Sequence, residues 1–213
     1  MNPQQPLAPL APLALPALPA PPAPLAPLAP LEPTPAQTIG PVYGYALPFT
    51  GGGEIAPAGH PDTVTFHGRV HDGEGRPVPD ALLEFWQAAP DNSRAGAPGS
   101  LRRDPTTGAV LGRHGVDFTA FGRVATDADG HWSVRTLPPP AEAPYLAVCL
   151  FARGLLHHLF TRAYLPGHRD PLLDSLPAGR SATLVATEER ERVLRFDIRI
   201  QGAEETVFLD FAH

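Results

Sequence analysis

The run from Ala143 to Leu165, APYLAVCLFARGLLHHLFTRAYL, constrains the fold more than any other part of the chain. Its first half, residues 145–152, crowds apolar, β-branched and aromatic residues together, as is typical of a strand covered on both faces. Arg153 and Gly154 follow as a turn, and the second half alternates as a strand does. One face of this second strand carries His158, Phe160, Arg162 and Tyr164.

Four further segments carry strand patterns, and turn residues separate them. They are TVTFHGRVHD (63–72, with Val64, Phe66 and Val70 on one face), ALLEFWQA (81–88, with Trp86 in the core), the hairpin FGRVATDADGHWSVRTL (121–137) and VLRFDIRIQG (193–202, with Phe196, Ile198 and Ile200 inward). Residues 89–115 and 165–179 are predicted to be irregular excursions, which in a compact domain are often functional. The pattern predicts an all-β chain, an antiparallel β-sandwich with long loops.

The first 33 residues have a different composition from the rest, because proline, alanine and leucine repeat almost without interruption. Proline at every third position is typical of an extended polyproline II segment. We therefore expect a disordered arm over residues 1–33 and one β-sandwich domain over 34–213. Frequent prolines exclude a membrane helix, and basic residues that would start an export signal are absent.

Charge and cysteine content limit the functional classes. The chain carries a net charge of −6 and no clustered basic patch, which argues against nucleic acid and anionic membranes as partners. Its single cysteine, Cys149, lies within the apolar strand and cannot form an internal disulfide, so we expect a reducing, cytoplasmic location. Arg153 is the first candidate functional residue, because a charge at the end of a buried strand needs an anionic partner.

Several segments together resemble the intradiol ring-cleaving dioxygenases, specifically the alpha subunits of the hetero-oligomeric members that act on protocatechuate. The matching pieces are TPAQTIGP (34–41), GRVHDGEGRPVPDALLEFWQA (68–88), FGRVATDADGHWSVRTL (121–137), LFARGLLHHLFTRAYL (150–165) and RFDIRIQGAEETVFLDF (195–211). They span nearly all of the chain after residue 33, and the last block is the most specific. The resemblance implies cleavage of an aromatic catechol by O2 between its hydroxyl-bearing carbons.

Catalytic members of that family hold one ferric iron, Fe(III), with two tyrosines and two histidines. The histidines lie at alternate positions of one strand, where both side chains point to the same face. The corresponding positions here are Tyr145 and Ala147, and the preceding segment PPPAEAP lacks the expected tyrosine. The resemblance therefore implies that this chain binds no metal by itself and that a partner beta subunit holds the Fe(III).

The same resemblance implies that this chain forms one wall of the substrate pocket, with Thr38, Gly40, Pro41 and Arg153 facing the substrate. A guanidinium suits the carboxylate of a dihydroxybenzoate, because its planar donors match two oxygens. No catalytic residue is assigned to this chain. Two alternatives stay open: a self-sufficient dioxygenase with an unusual ligand set, and a non-catalytic β-sandwich binding module.

Overall fold

The structure is a computed structural model that describes residues 46–93 and 101–211. The predicted arm, its boundary at residues 33 and 34, and Thr38, Gly40 and Pro41 lie outside the described residues. The strands of the described part are β1 (Val64–His71), β2 (Leu82–Trp86), β3 (Leu101–Arg103), β4 (Val110–Arg113), β5 (Phe121–Ala125), β6 (His131–Thr136), β7 (Tyr145–Phe151), β8 (Leu159–Tyr164), β9 (Thr187–Arg190), β10 (Val193–Arg195) and β11 (Ile198–Arg199).

Two main sheets form the sandwich, which confirms the predicted fold class. The first sheet is centred on β1, which pairs antiparallel with β6 and parallel with β10 and β11, while β9 pairs with β10. The second sheet is antiparallel throughout, in the order β5-β2-β7-β8. The parallel pairs of the first sheet depart from a purely antiparallel sandwich, because the chain returns to β1 from a distant segment.

The core lies between the two sheets and is built from alternate residues of each strand. The inward positions predicted on β1 are confirmed, since Val64, Phe66 and Val70 are buried. Phe85 of β2 packs on Trp132 of β6 with ring centroids 4.9 Å apart, which joins the two sheets. Further members of this core are Val134, Leu146, Val148, Leu150, Leu194, Phe196 and Ile198.

Trp86 does not enter this core, so that prediction was wrong. Its side chain is 46% exposed and stacks on Phe121 at 4.4 Å on the outer face of the second sheet. The reason is the pleat of β2, because Leu83 and Phe85 point inward and the adjacent residue must point outward. Trp86 therefore belongs to the surface where the candidate site lies.

Both predicted excursions contain short regular elements. Residues 89–115 include the β3–β4 hairpin, and residues 165–184 include helices α1 (Pro171–Ser175) and α2 (Ala178–Ser181) and a 3-10 turn (Ala182–Leu184). Asp170 caps α1 by accepting a hydrogen bond from Leu172 N at 2.8 Å. Five residues are too few for a hydrophobic period to appear in the sequence. In the described part of the chain, no helix is long and apolar enough to cross a membrane.

Candidate functional site

Strand β7 was predicted to be covered on both faces, but only its inner face is fully buried. Leu146, Val148 and Leu150 point into the core and are at most 1% exposed. Tyr145 and Ala147 lie on the other face of the strand, the outer face of the second sheet. Tyr145 and Ala147, the two positions expected to match the family's histidines, therefore do share a face, and that face borders a cavity.

The strands on either side of β7 determine what surrounds these positions. Ala147 lies between Trp86 of β2 and Arg162 of β8, and Tyr145 lies opposite Tyr164. The Tyr145 and Tyr164 rings have centroids 5.1 Å apart. The guanidinium carbon of Arg162 lies 4.2 Å from the centroid of the Tyr145 ring, in cation–π contact. A permanent cation thus lies over Tyr145, one of the two positions expected to match histidines in catalytic members.

A chain of hydrogen bonds through Tyr164 and Asp170 holds Arg162 in place. Its Nη1 donates to Tyr164 Oη at 2.9 Å, and Tyr164 Oη donates to Asp170 Oδ1 at 2.9 Å. Burial is the main cause that raises the pKa of Tyr164 to about 12, so the phenol keeps its proton. Burial works against the charge of Arg162, but the hydrogen bond with Tyr164 and the electrostatic attraction of Tyr164, Tyr145 and Asp170 together hold the pKa of Arg162 above its ordinary value.

Around Tyr145 and Arg162 the outer face encloses a cavity of about 380 Å³, called the outer-face cavity below. Glu84 also lines it, and its Oε1 accepts from Nε and Nη2 of Arg123 at 2.7 and 2.5 Å. The remaining aromatic and thiol lining consists of Trp86, Cys149, Phe151, His158, Phe160 and Phe211. The cavity therefore combines aromatic walls, one fixed cation and one carboxylate that is already paired.

These residues do not fit a ferric ion. Tyr145 is a possible ligand, but Ala147 offers no donor atom, and the nearby guanidinium repels a trivalent cation. Across the residues that the structure describes, no group of three or more His, Cys, Asp or Glu side chains is placed to hold a metal ion. The described residues therefore offer no set of ligands through which an iron could act.

Arg153 lies elsewhere, in the connection between β7 and β8. Its side chain is 60% exposed, and its Nη2 and Nε contact the carboxylate of Asp80 at 2.5 and 3.2 Å. The turn carries the side chain to the surface, and the anionic partner expected for this charge is Asp80 of the same chain. Its predicted contact with substrate stays a prediction.

Sequence reasoning placed Arg162 on the right face of its strand but gave it no role. The signal was present, because Arg162 alternates with His158 and Phe160, and all three line the cavity. The sequence could not show the pairing register between β7 and β8, which places Arg162 beside Ala147. That register depends on the turn between the strands and not on periodicity.

Cys149 gives a test of the geometry of the outer-face cavity. Burial, followed by the charge of Glu84, raises the pKa of its thiol to about 12 from 9.0. We expect iodoacetamide at about pH 8 to alkylate the folded chain roughly 1,000-fold more slowly than the urea-unfolded chain, because the thiolate is the reacting species. Mass spectrometry would follow the reaction. Equal rates in the two states would contradict this placement of Cys149.

The raised pKa of Cys149 also predicts how the stability of the fold changes with pH. A thiol whose pKa is higher in the folded state contributes fully below the unfolded value near 9.0, and this contribution is lost as the pH rises toward 12. Cys149→Ser should therefore show a smaller fall in the free energy of unfolding between about pH 8 and 10 than the unaltered chain. Urea unfolding at each pH measures the difference, and an identical fall in both proteins would contradict the shift.

Comparison with known proteins adds the following findings. A family model described as "Dioxygenase" matches residues 40–169. The protocatechuate 3,4-dioxygenase alpha chain of Burkholderia cepacia is 38% identical over 202 residues, covering 83% of this chain and 96% of that protein. The beta chain from the same organism is 27% identical over 166 residues, covering 68% of this chain and 67% of that protein.

Among solved structures, the dioxygenase domain of a dioxygenase and carbohydrate-binding fusion protein from Streptomyces sp. SirexAA-E aligns with a TM-score of 0.50. It is 25% identical in sequence, and the alignment covers 81% of this chain and 100% of that chain.

Proposed function

The chain belongs to the intradiol ring-cleaving dioxygenase family, and we propose that it is the alpha chain of a protocatechuate 3,4-dioxygenase, which does not hold the iron. The complex would cleave 3,4-dihydroxybenzoate with O2 to 3-carboxy-cis,cis-muconate. The observation that carries the proposal is the outer face of β7, where Tyr145, Ala147 and the guanidinium of Arg162 cannot accommodate the metal. Similarity to an alpha chain along almost its full length supports it.

Members of this family depend on iron, and the iron of this complex would be Fe(III) held by the beta chain. Both kinds of chain resemble this sequence, which is what related subunits of one assembly would give. The present chain would then contribute by positioning and by electrostatics, which account for much of enzymatic rate enhancement. A cytoplasmic location fits its single, buried, reduced thiol.

Arg153, Thr38, Gly40 and Pro41 would form this chain's wall of the substrate pocket. The exposure of Arg153 supports a role across a subunit contact, because an exposed guanidinium can reach into a neighbour's cavity. Asp80 would orient Arg153, whose planar guanidinium suits the benzoate carboxylate.

Co-expression with a beta chain tests this proposal. We expect the two chains to co-purify, and O2 uptake with protocatechuate to appear only in the mixture. The matched control is the same beta chain expressed alone, which should be inactive or markedly less active. Turnover by the present chain alone would support a self-sufficient dioxygenase. Failure to associate with any iron-holding beta chain would support a non-catalytic binding module.

A further inference from the structure

We propose that the outer-face cavity is a binding site for a single-ring aromatic carboxylate, which it takes up without a metal ion. Such a ligand would be bound and not cleaved, so this site is separate from the ring-cleaving centre proposed above. Either role can therefore fail without the other. Three features carry the inference: the size of the cavity, its aromatic walls and the single fixed cation in its lining.

The size of the cavity and its walls suit one aromatic ring. Its volume of about 380 Å³ falls at the lower end of the range usual for small-molecule sites. Trp86 and Phe211 line it and remain 46% and 57% exposed, which is unusual for large aromatic side chains without a covering group. Phe160 meets Phe211 edge to face at 5.3 Å. A flat ring between these side chains would gain stacking and edge contacts in addition to burial.

The charge of Arg162 specifies an anionic group on that ring. One of its nitrogens, Nη1, is engaged by Tyr164. Over the described ranges of the chain, its Nε and Nη2 make no hydrogen bond, and they are not sealed from solvent. A carboxylate can accept from these two donors in the bidentate geometry that a guanidinium favours. A neutral phenol would offer these donors only one uncharged acceptor oxygen, and an alkane would leave them unpaired.

Neither carboxylate near the site replaces such a ligand. Glu84 lies in the lining, but two donors of Arg123 already hold its Oε1. Asp170 lies 3.6 Å from Arg162 Nη1, but its Oδ1 also accepts from Tyr164 and from the backbone of α1. Asp170 and Tyr164 therefore hold the guanidinium through Nη1, which leaves Nε and Nη2 available.

The positions of the two tryptophans allow binding at this site to be measured by fluorescence. Trp86 lines the cavity, whereas Trp132 is 1% exposed in the core. We expect benzoate to change the tryptophan fluorescence of the full-length chain in a saturable way, and the Trp86→Phe variant to lose that change. Calorimetric titration of both proteins would measure affinity independently of the fluorophore. Absence of saturable benzoate binding by both methods would overturn the proposal.

Arg162→Met should weaken benzoate binding at least 10-fold, because it removes the charge while keeping an unbranched side chain. Arg162→Lys keeps the charge but loses the fork, and we expect an intermediate loss; it also serves if the methionine variant does not fold. The matched control is Arg169→Met, since Arg169 is 82% exposed and lies outside the cavity lining. Undiminished binding in both Arg162 variants would overturn the assignment of the cation.

Two related ligands separate the contributions of ring and charge. Benzamide has the same ring without the negative charge, and cyclohexanecarboxylate has the charge without the aromatic face. Both should bind at least 10-fold more weakly than benzoate. Benzamide binding as tightly as benzoate would contradict the role of Arg162, and equal binding of cyclohexanecarboxylate would contradict the role of the aromatic walls.

Discussion

Arg153→Ala, in a complex with an iron-holding beta chain, is expected to lower kcat/KM for protocatechuate at least 30-fold. The expected loss corresponds to about 2–5 kcal/mol, the usual cost of removing one member of a hydrogen-bonded charge pair that binding desolvates. In the chain alone Arg153 is 60% exposed and paired with Asp80, so most of this loss would come from the assembled pocket. Steady-state O2 uptake over a range of substrate concentrations measures it.

Two controls separate substrate contact from structural support at Arg153. Arg153→Lys keeps the charge but cannot bind a carboxylate through a planar fork, so it should recover only part of the activity. Asp80→Asn removes the in-chain partner and should have a much smaller effect, because exposed ion pairs contribute little. Wild-type kinetics in the Arg153→Ala complex would remove this residue from the mechanism. Equal losses in the Asp80 and Arg153 variants would show that their pair serves the fold.

Phe66→Ala should lower the free energy of unfolding by about 3–5 kcal/mol, as large-to-small substitutions in aromatic cores do. Phe66 is fully buried in the middle of β1, between Val134 of β6 and Leu194 of β10. Because β1 is the strand that joins these neighbours into one sheet, the cavity cannot close by a local shift. A loss of that size is a large share of the stability of an ordinary domain.

Urea unfolding monitored by circular dichroism measures the effect of Phe66→Ala. The matched control is Val116→Ala, since Val116 is 70% exposed and should change stability by less than about 0.5 kcal/mol. Similar values for the two variants would contradict the assignment of Phe66 to the centre of the core.

Periodicity in the sequence predicted much of the sandwich, because burial on one face leaves a period of two that survives in the residues. The inward set on β1 follows it. Trp86 shows where the method fails. A tryptophan is usually buried, but the pleat of β2 determines the face of the sheet on which Trp86 lies. Helices α1 and α2 were missed because five and four residues carry no period and their caps are set by local backbone geometry.

The candidate site, too, could be predicted from the sequence only in part. The absence of imidazoles at Tyr145 and Ala147 could be read from the sequence, because it depends on residue identity at alternate positions of one strand. The role of Arg162 could not, since it depends on the register between β7 and β8 and on the hydrogen bonds to Tyr164 and Asp170. The sequence also could not decide whether Arg153 is buried or exposed, because a turn can direct its side chain inward or outward.

The most direct test of the central claim is an iron analysis of the chain purified alone and in complex with a beta chain. We predict no bound iron in the chain alone and one ferric ion per pair of chains in the complex, because Arg162 covers the face on which this chain would need metal ligands. Iron retained by the isolated chain together with ring cleavage, or two ions per pair, would contradict the account.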